Sequence, residues 1–229
     1  NWNNALSKET FYDAIVVHSY AKVTKGKSRF GQMTDETFEG EDKKEAFDLY
    51  KNRALNYFKD LYPKKIAEYN TTFKDKPIWI TEWNLQMSKI TANTLLQGLF
   101  AANYLLELCT NPKLQSIELT TFHNFAGRTL AGSMLMKKDN KTHVLSTYLP
   151  MKMMNVIFAD SNFIGSKKMI SKECFMFKFT NKETKKPIRY FINWSDKIVT
   201  HTVKKDKIEN WIKKEYFGNS LFSTTMDEK

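Results

Sequence analysis

The sequence predicts an α/β protein in two parts, helices alternating with strands of a largely parallel sheet over 1–158 and a small antiparallel β-rich domain over 159–229. Three observations carry this. Short runs rich in β-branched and aromatic residues fall at about 14–20, 77–83 and 117–122. Each is followed by a stretch of helical period. Beyond about residue 160 the apolar period becomes two.

Taken in order, Phe11 to Tyr20 is the first strand, with Ile15 to Val17 as its apolar body and His18 and Tyr20 on one face. A long polar loop over 21–42 follows, holding Gly26, Gly31 and Gly40. Phe47, Tyr50, Ala54, Phe58 and Leu61 then recur at helical spacing, in a helix that Pro63 ends or restarts. Pro77 opens the central strand, which closes at Glu82. A carboxylate ending an apolar strand is costly inside a sheet and useful where the strand empties into a cleft. Strict alternation puts Glu82 on the face of Ile78 and Ile80; Trp79 then packs against helices and Trp83 reaches a loop or the cleft rim.

Thr91 to Thr110 reads as a more buried second helix, stopped by Asn111-Pro112, and Ile117 to Phe122 as the third strand. His143 to Phe158 reads as a third helix that Pro150 kinks or starts. In the second part, Phe175, Phe177 and Phe179 form one strand and Ile188, Tyr190, Ile192 and Trp194 the next, joined by a polar hairpin loop over 181–187. Ile198 to Val203 is expected as another strand, Trp194 and Trp211 as core, and the whole as a sandwich. Right-handed crossovers bring His18, Tyr20, Glu82, Asn84, Phe122, His123 and Asn124 to the carboxyl ends of neighbouring strands, where parallel α/β folds keep their sites.

Composition narrows the function classes. The chain has 229 residues, 41% of them hydrophobic, enough for a full core. Its net charge of +11 invites a nucleic-acid reading. The lysines, however, are spread through every segment and interleaved with acids, which favours a solvated surface; an acidic or sulfated polymer would also suit the charge. Cys109 and Cys174 define no disulfide framework. No run approaches the roughly 18 apolar residues of a membrane span, and Asn1-Trp2-Asn3-Asn4 is no signal peptide, so the chain is intracellular or its N-terminus has been removed. The four histidines lack zinc spacing, and there is no phosphate-binding glycine loop or nucleophile elbow, so no metal or cofactor is expected.

The strand Pro77-Ile78-Trp79-Ile80-Thr81-Glu82-Trp83-Asn84, with Asp13-Ala14-Ile15-Val16-Val17-His18-Ser19-Tyr20 before it and Leu119-Thr120-Thr121-Phe122-His123-Asn124-Phe125 after it, resembles strands six to eight of a clan of retaining (β/α)8-barrel glycoside hydrolases. Its members include α-L-arabinofuranosidases, β-xylosidases, endoglucanases and agarases. The resemblance implies the last βα units of a TIM barrel, partial in this chain, followed by a small antiparallel β-sandwich. It makes Glu82 the nucleophile, with His18 and Tyr20 lining the sugar subsite and Phe122 or His123 in the place of a stacking aromatic. Trp83, Asn84 and Asn124 complete the expected substrate-binding set.

The clan's acid/base Glu is expected upstream of Asn1, in a barrel half carried by the same polypeptide or a partner chain. A carbohydrate is the implied substrate, and a secreted, periplasmic or cell-surface setting the implied location. The competing readings are a non-catalytic carbohydrate-binding or structural module, and half of a barrel completed by another polypeptide. A carboxylate from the first loop, among Asp35, Glu36, Glu39, Glu41 and Asp42, is the weaker candidate for the second acid. Glu118, at the far end of its strand, is expected in a buried ion pair.

Overall fold

The computed structural model describes residues 2–25, 37–86, 88–122, 125–127, 132–159, 162–202 and 212–228. A short helix α1 (Trp2–Leu6) leads to strand β1 (Ile15–Ala21). Helix α2 (Lys43–Asn56) begins at Asp42, whose side chain accepts from Glu45 N. It runs through a π-turn over Tyr57–Leu61 into α3 (Tyr62–Thr72), with Pro63 as the second residue of α3, directly after the irregular turn. Strand β2 (Ile78–Leu85), helix α4 (Leu95–Thr110) and strand β3 (Ile117–Thr120) complete the first sheet. The extra residue in the π-turn moves the buried position from Leu61, which is exposed, to Tyr62, which is buried.

Strands β1, β2 and β3 form a parallel sheet in that order, so their carboxyl ends share one edge. Among the described residues, helices cover one face of it. Ile15, Ile78, Ile80, Trp83 and Leu85 are buried in the same core as Tyr50, Phe58, Leu96, Phe100 and Tyr104. The open face carries Val16, Trp79 and Leu119 in one register rung, 55%, 39% and 42% exposed.

Three short strands follow, β4 (Ala126–Gly127), β5 (Leu135–Lys138) and β6 (Lys141–Val144), in a small sheet that the sequence did not announce. They take up the start of the expected third helix. As a result α5 covers only Tyr148–Phe158, with Pro150 in its first turn. Next come β7 (Phe163–Ser171), β8 (Cys174–Asn181) and β9 (Pro187–Asn193), an antiparallel sheet with the expected hairpin between β8 and β9. Its inner face packs on α4. Phe177, Phe179, Ile192 and Trp194 join the main core, Gly165 lies against Thr110, and Lys167 pairs with the buried Glu107.

No strand forms over 198–202, where Ile198 is almost fully exposed; residue 203 and Trp211 lie outside the described residues. The tail adds β10 (Tyr216–Phe217) and β11 (Asp227–Glu228). It also caps α4: Leu95 N donates to Ser223 O and Leu96 N to Leu221 O, satisfying two of the helix's orphan amides. Among the described residues the chain is therefore mixed α/β with small separate sheets and no closed barrel.

Candidate functional site

A bulge in β2 builds the site. Val17 registers with Ile80 but His18 with Glu82, leaving Thr81 as the extra residue. Up to Ile80 the even positions face the helices; after Thr81 the odd ones do. Trp83 and Leu85 thereby enter the core, while Glu82 turns onto the open face beside His18 and Tyr20 of β1, and Trp79 lies on that face too. Strict alternation had put Glu82 on the face of Ile78 and Ile80, which the bulge reverses; Trp79, expected against the helices, lies on the open face because the helices cover the Ile78/Ile80 face. The Thr81 carbonyl is satisfied by Thr121 Oγ1 at 2.6 Å.

On the open face the Tyr20 hydroxyl donates to Glu82 Oε2 at 2.9 Å, and His18 Nδ1 lies 3.3 Å from the same oxygen. Glu82 Oε1 has no hydrogen bond among the described residues. Burial, reinforced by the hydrogen bond to the Glu82 carboxylate, pushes the Tyr20 phenol well above its ordinary pKa. Tyr20 therefore stays a neutral donor. The arrangement fixes one carboxylate oxygen by hydrogen bond and not the other, and the His18 and Glu82 side chains are 45% and 35% exposed.

The other expected site residues are placed differently. Trp83 is buried and stacks on Tyr104, ring centroids 4.3 Å apart, so it reaches no cleft. Phe122 meets the edge of Trp83 at 5.1 Å and is half-buried. Asn84 is buried too: its Nδ2 donates to Gly132 O, its Oδ1 accepts from Leu85 N, and Gln97 Nε2 lies 3.4 Å from that oxygen. His123 and Asn124 lie outside the described residues.

The acids of the first loop are otherwise engaged. Glu39 takes a two-pronged hydrogen bond from Arg53 and accepts Lys25 N, tying both ends of the loop to α2. Glu41 N donates to Glu45, and Asp42 caps α2. Asp35 and Glu36 lie outside the described residues. Glu118 is exposed at the opposite end of the sheet, with no ion pair among the described residues, in place of the expected buried pair.

Beneath the site lies a feature that sequence reasoning missed. Ser19, between His18 and Tyr20, points into the core, where its hydroxyl is 2.5 Å from Tyr57 Oη. Tyr57 stacks on Tyr62, whose hydroxyl is 2.7 Å from that of Tyr104, and Tyr104 stacks on Trp83. This chain of hydroxyls and rings joins the residues next to His18, Tyr20 and Glu82. The five-residue step from Tyr57 to Tyr62, suited to a π-turn, was the only sequence signal. Burial pushes Tyr62 up to about 12 and raises Tyr57 and Tyr104 as well.

No group of side chains suited to a metal ion occurs among the described residues, and no described helix is long and apolar enough to cross a membrane. Compared with known proteins, the chain matches no protein-family profile, no curated protein and no solved structure.

Proposed function

We propose that this chain is the carboxyl-terminal part of a retaining glycoside hydrolase: the last βα units of a (β/α)8 barrel with a β-sandwich behind them, cleaving O-glycosidic bonds of a polysaccharide or oligosaccharide. The observation that carries this reading is the convergence of Tyr20 and His18 on one oxygen of Glu82, at the carboxyl edge of a parallel sheet. In this reading Glu82 Oε1 attacks the anomeric carbon as the glycosidic C–O bond breaks, and a second carboxyl group about 5 Å away protonates the leaving oxygen. Water, deprotonated by that second group, then releases the sugar and frees Glu82. Tyr20 holds Oε2 by its hydrogen bond, with His18 beside it, so the attacking oxygen keeps one direction.

The bare rung Val16, Trp79 and Leu119 supports the partial-barrel reading. Parallel sheets are covered on both faces, and here, among the described residues, one face and both edges lack a cover. The rest of the barrel, from the same polypeptide or a partner, would supply that cover together with the acid/base; a secreted or surface setting accompanies this reading. The same bare face favours, as the second reading, a half-barrel or binding module that works only with another polypeptide.

The test is Glu82→Gln in the protein purified from its native source, assayed on a panel of aryl glycosides. Turnover is lost while circular dichroism and melting temperature stay at the wild-type values. Retained turnover would remove Glu82 from the chemistry.

A further inference from the structure

We propose that Thr121 is a positioning residue for Glu82: through its hydroxyl, β3 locks the bulge at Thr81 and so aims the Glu82 carboxylate to its place beside Tyr20 and His18. In an unbroken strand successive carbonyls point to opposite neighbours. Here two in a row point to β3, and one residue takes both. Thr121 N donates to Ile80 O at 3.0 Å, and Thr121 Oγ1 donates to Thr81 O at 2.6 Å. The paired register of β2 and β3 ends at Ile80 and Thr120. The hydroxyl therefore carries the tie one residue further, to the inserted residue itself. Thr121 reaches it because it follows Leu119 by two positions onto the open face, where it is exposed.

The Thr81 oxygen belongs to the peptide unit that joins Thr81 to Glu82. That unit is planar, so holding its oxygen fixes the plane from which the Glu82 Cα departs. On the other side of β2, β1 registers His18 with Glu82 and Ser19 with Trp83. Trp83, buried against Tyr104, decides which face Glu82 takes; the Thr121 hydroxyl decides its direction on that face. Without this tie the bulge keeps its inserted residue, but the peptide before Glu82 is free to rotate and the Tyr20 hydrogen bond to Oε2 loosens with it. Neighbouring Thr120 supplies the contrast. It registers with Ile80 on the helix-covered face, and its hydroxyl is buried with no hydrogen-bond partner among the described residues.

The meaning of this lock for turnover rests on Glu82 as the nucleophile; the lock itself does not, and the test reads the two apart. The full polypeptide is expressed with 13C at every tyrosine Cζ, and the Tyr20 signal is assigned with Tyr20→Phe. Glu82→Ala marks where that signal lies once the acceptor is gone. Thr121→Val moves the Tyr20 signal toward that mark and lowers kcat on aryl glycosides about tenfold, with KM and melting temperature little changed, because water takes over the exposed Thr81 carbonyl. Thr121→Ser, which keeps the hydroxyl, restores both, and Thr120→Val disturbs neither. A moved signal in a protein whose wild type has no turnover upholds the lock and removes the glycosidase reading. The proposal is overturned by a Tyr20 signal that stays in place in Thr121→Val, by a moved signal with kcat unchanged from an active wild type, or by losses in Thr121→Ser or Thr120→Val equal to those in Thr121→Val.

Discussion

One donor, the Tyr20 hydroxyl at 2.9 Å, fixes one oxygen of Glu82, with His18 Nδ1 3.3 Å from the same atom, and the other oxygen takes no hydrogen bond among the described residues. Tyr20→Phe removes a hydrogen bond to a carboxylate, worth about 1.5–3 kcal/mol in general and nearer the lower end at this half-exposed position. The expected result is about a tenfold fall in kcat/KM with little change in melting temperature. Glu39 makes a different prediction. Arg53 holds its carboxyl below the usual range, so the unfolded chain takes up the proton first as pH falls. The pair's stabilisation is complete above about pH 4.5 and is lost as pH drops through the lower folded value. Glu39→Gln removes that part of the acid dependence, so the fall in stability between pH 7 and pH 3 in urea titrations is smaller than in the wild type.

At this scale His18, Tyr20 and Glu82 were legible, because each closes or nears the end of an apolar run in the sequence. Asn84 and Trp83 were not. Their burial depends on Gly132 and Tyr104, residues distant in sequence that no local pattern brings near.

At the level of elements, the strands, the two main helices and the β8–β9 hairpin could be read from periodicity and from Pro63, Pro77 and Asn111-Pro112. What periodicity missed at the site were places where one residue is added. The bulge at Thr81 carried Trp83 into the core and Glu82 onto the open face, and the π-turn moved Leu61 to the surface and aimed Tyr57 at Ser19. A period-two or period-3.6 count has no means of registering an insertion that is fixed only by the partner strand or helix. Tyr57→Phe tests the importance of the π-turn. Loss of its hydroxyl leaves Ser19 Oγ short of a partner in the core and costs about 1–3 kcal/mol, read as a lowered urea midpoint with unchanged slope. Tyr190→Phe, which breaks the bond from β9 to Met153 O of helix α5, lowers the midpoint without affecting catalysis, whereas Tyr57→Phe lowers both.

For the whole molecule, the central claim joins a single core running from β1 to β9 with a parallel sheet bare on the Glu82 side. The chemistry proposed for that side depends on a covalent bond to one carboxylate, and that bond can be sought without its acid partner. A 2-deoxy-2-fluoroglycosyl fluoride has a leaving group that needs no protonation, and its glycosyl-enzyme hydrolyses slowly. The measurement is the intact mass of the native polypeptide after incubation with a panel of such sugars, followed by peptide mapping. The account predicts one added sugar, carried on the peptide containing Glu82 and absent from Glu82→Gln. An unmodified mass with every sugar, or an adduct at another residue, would contradict it.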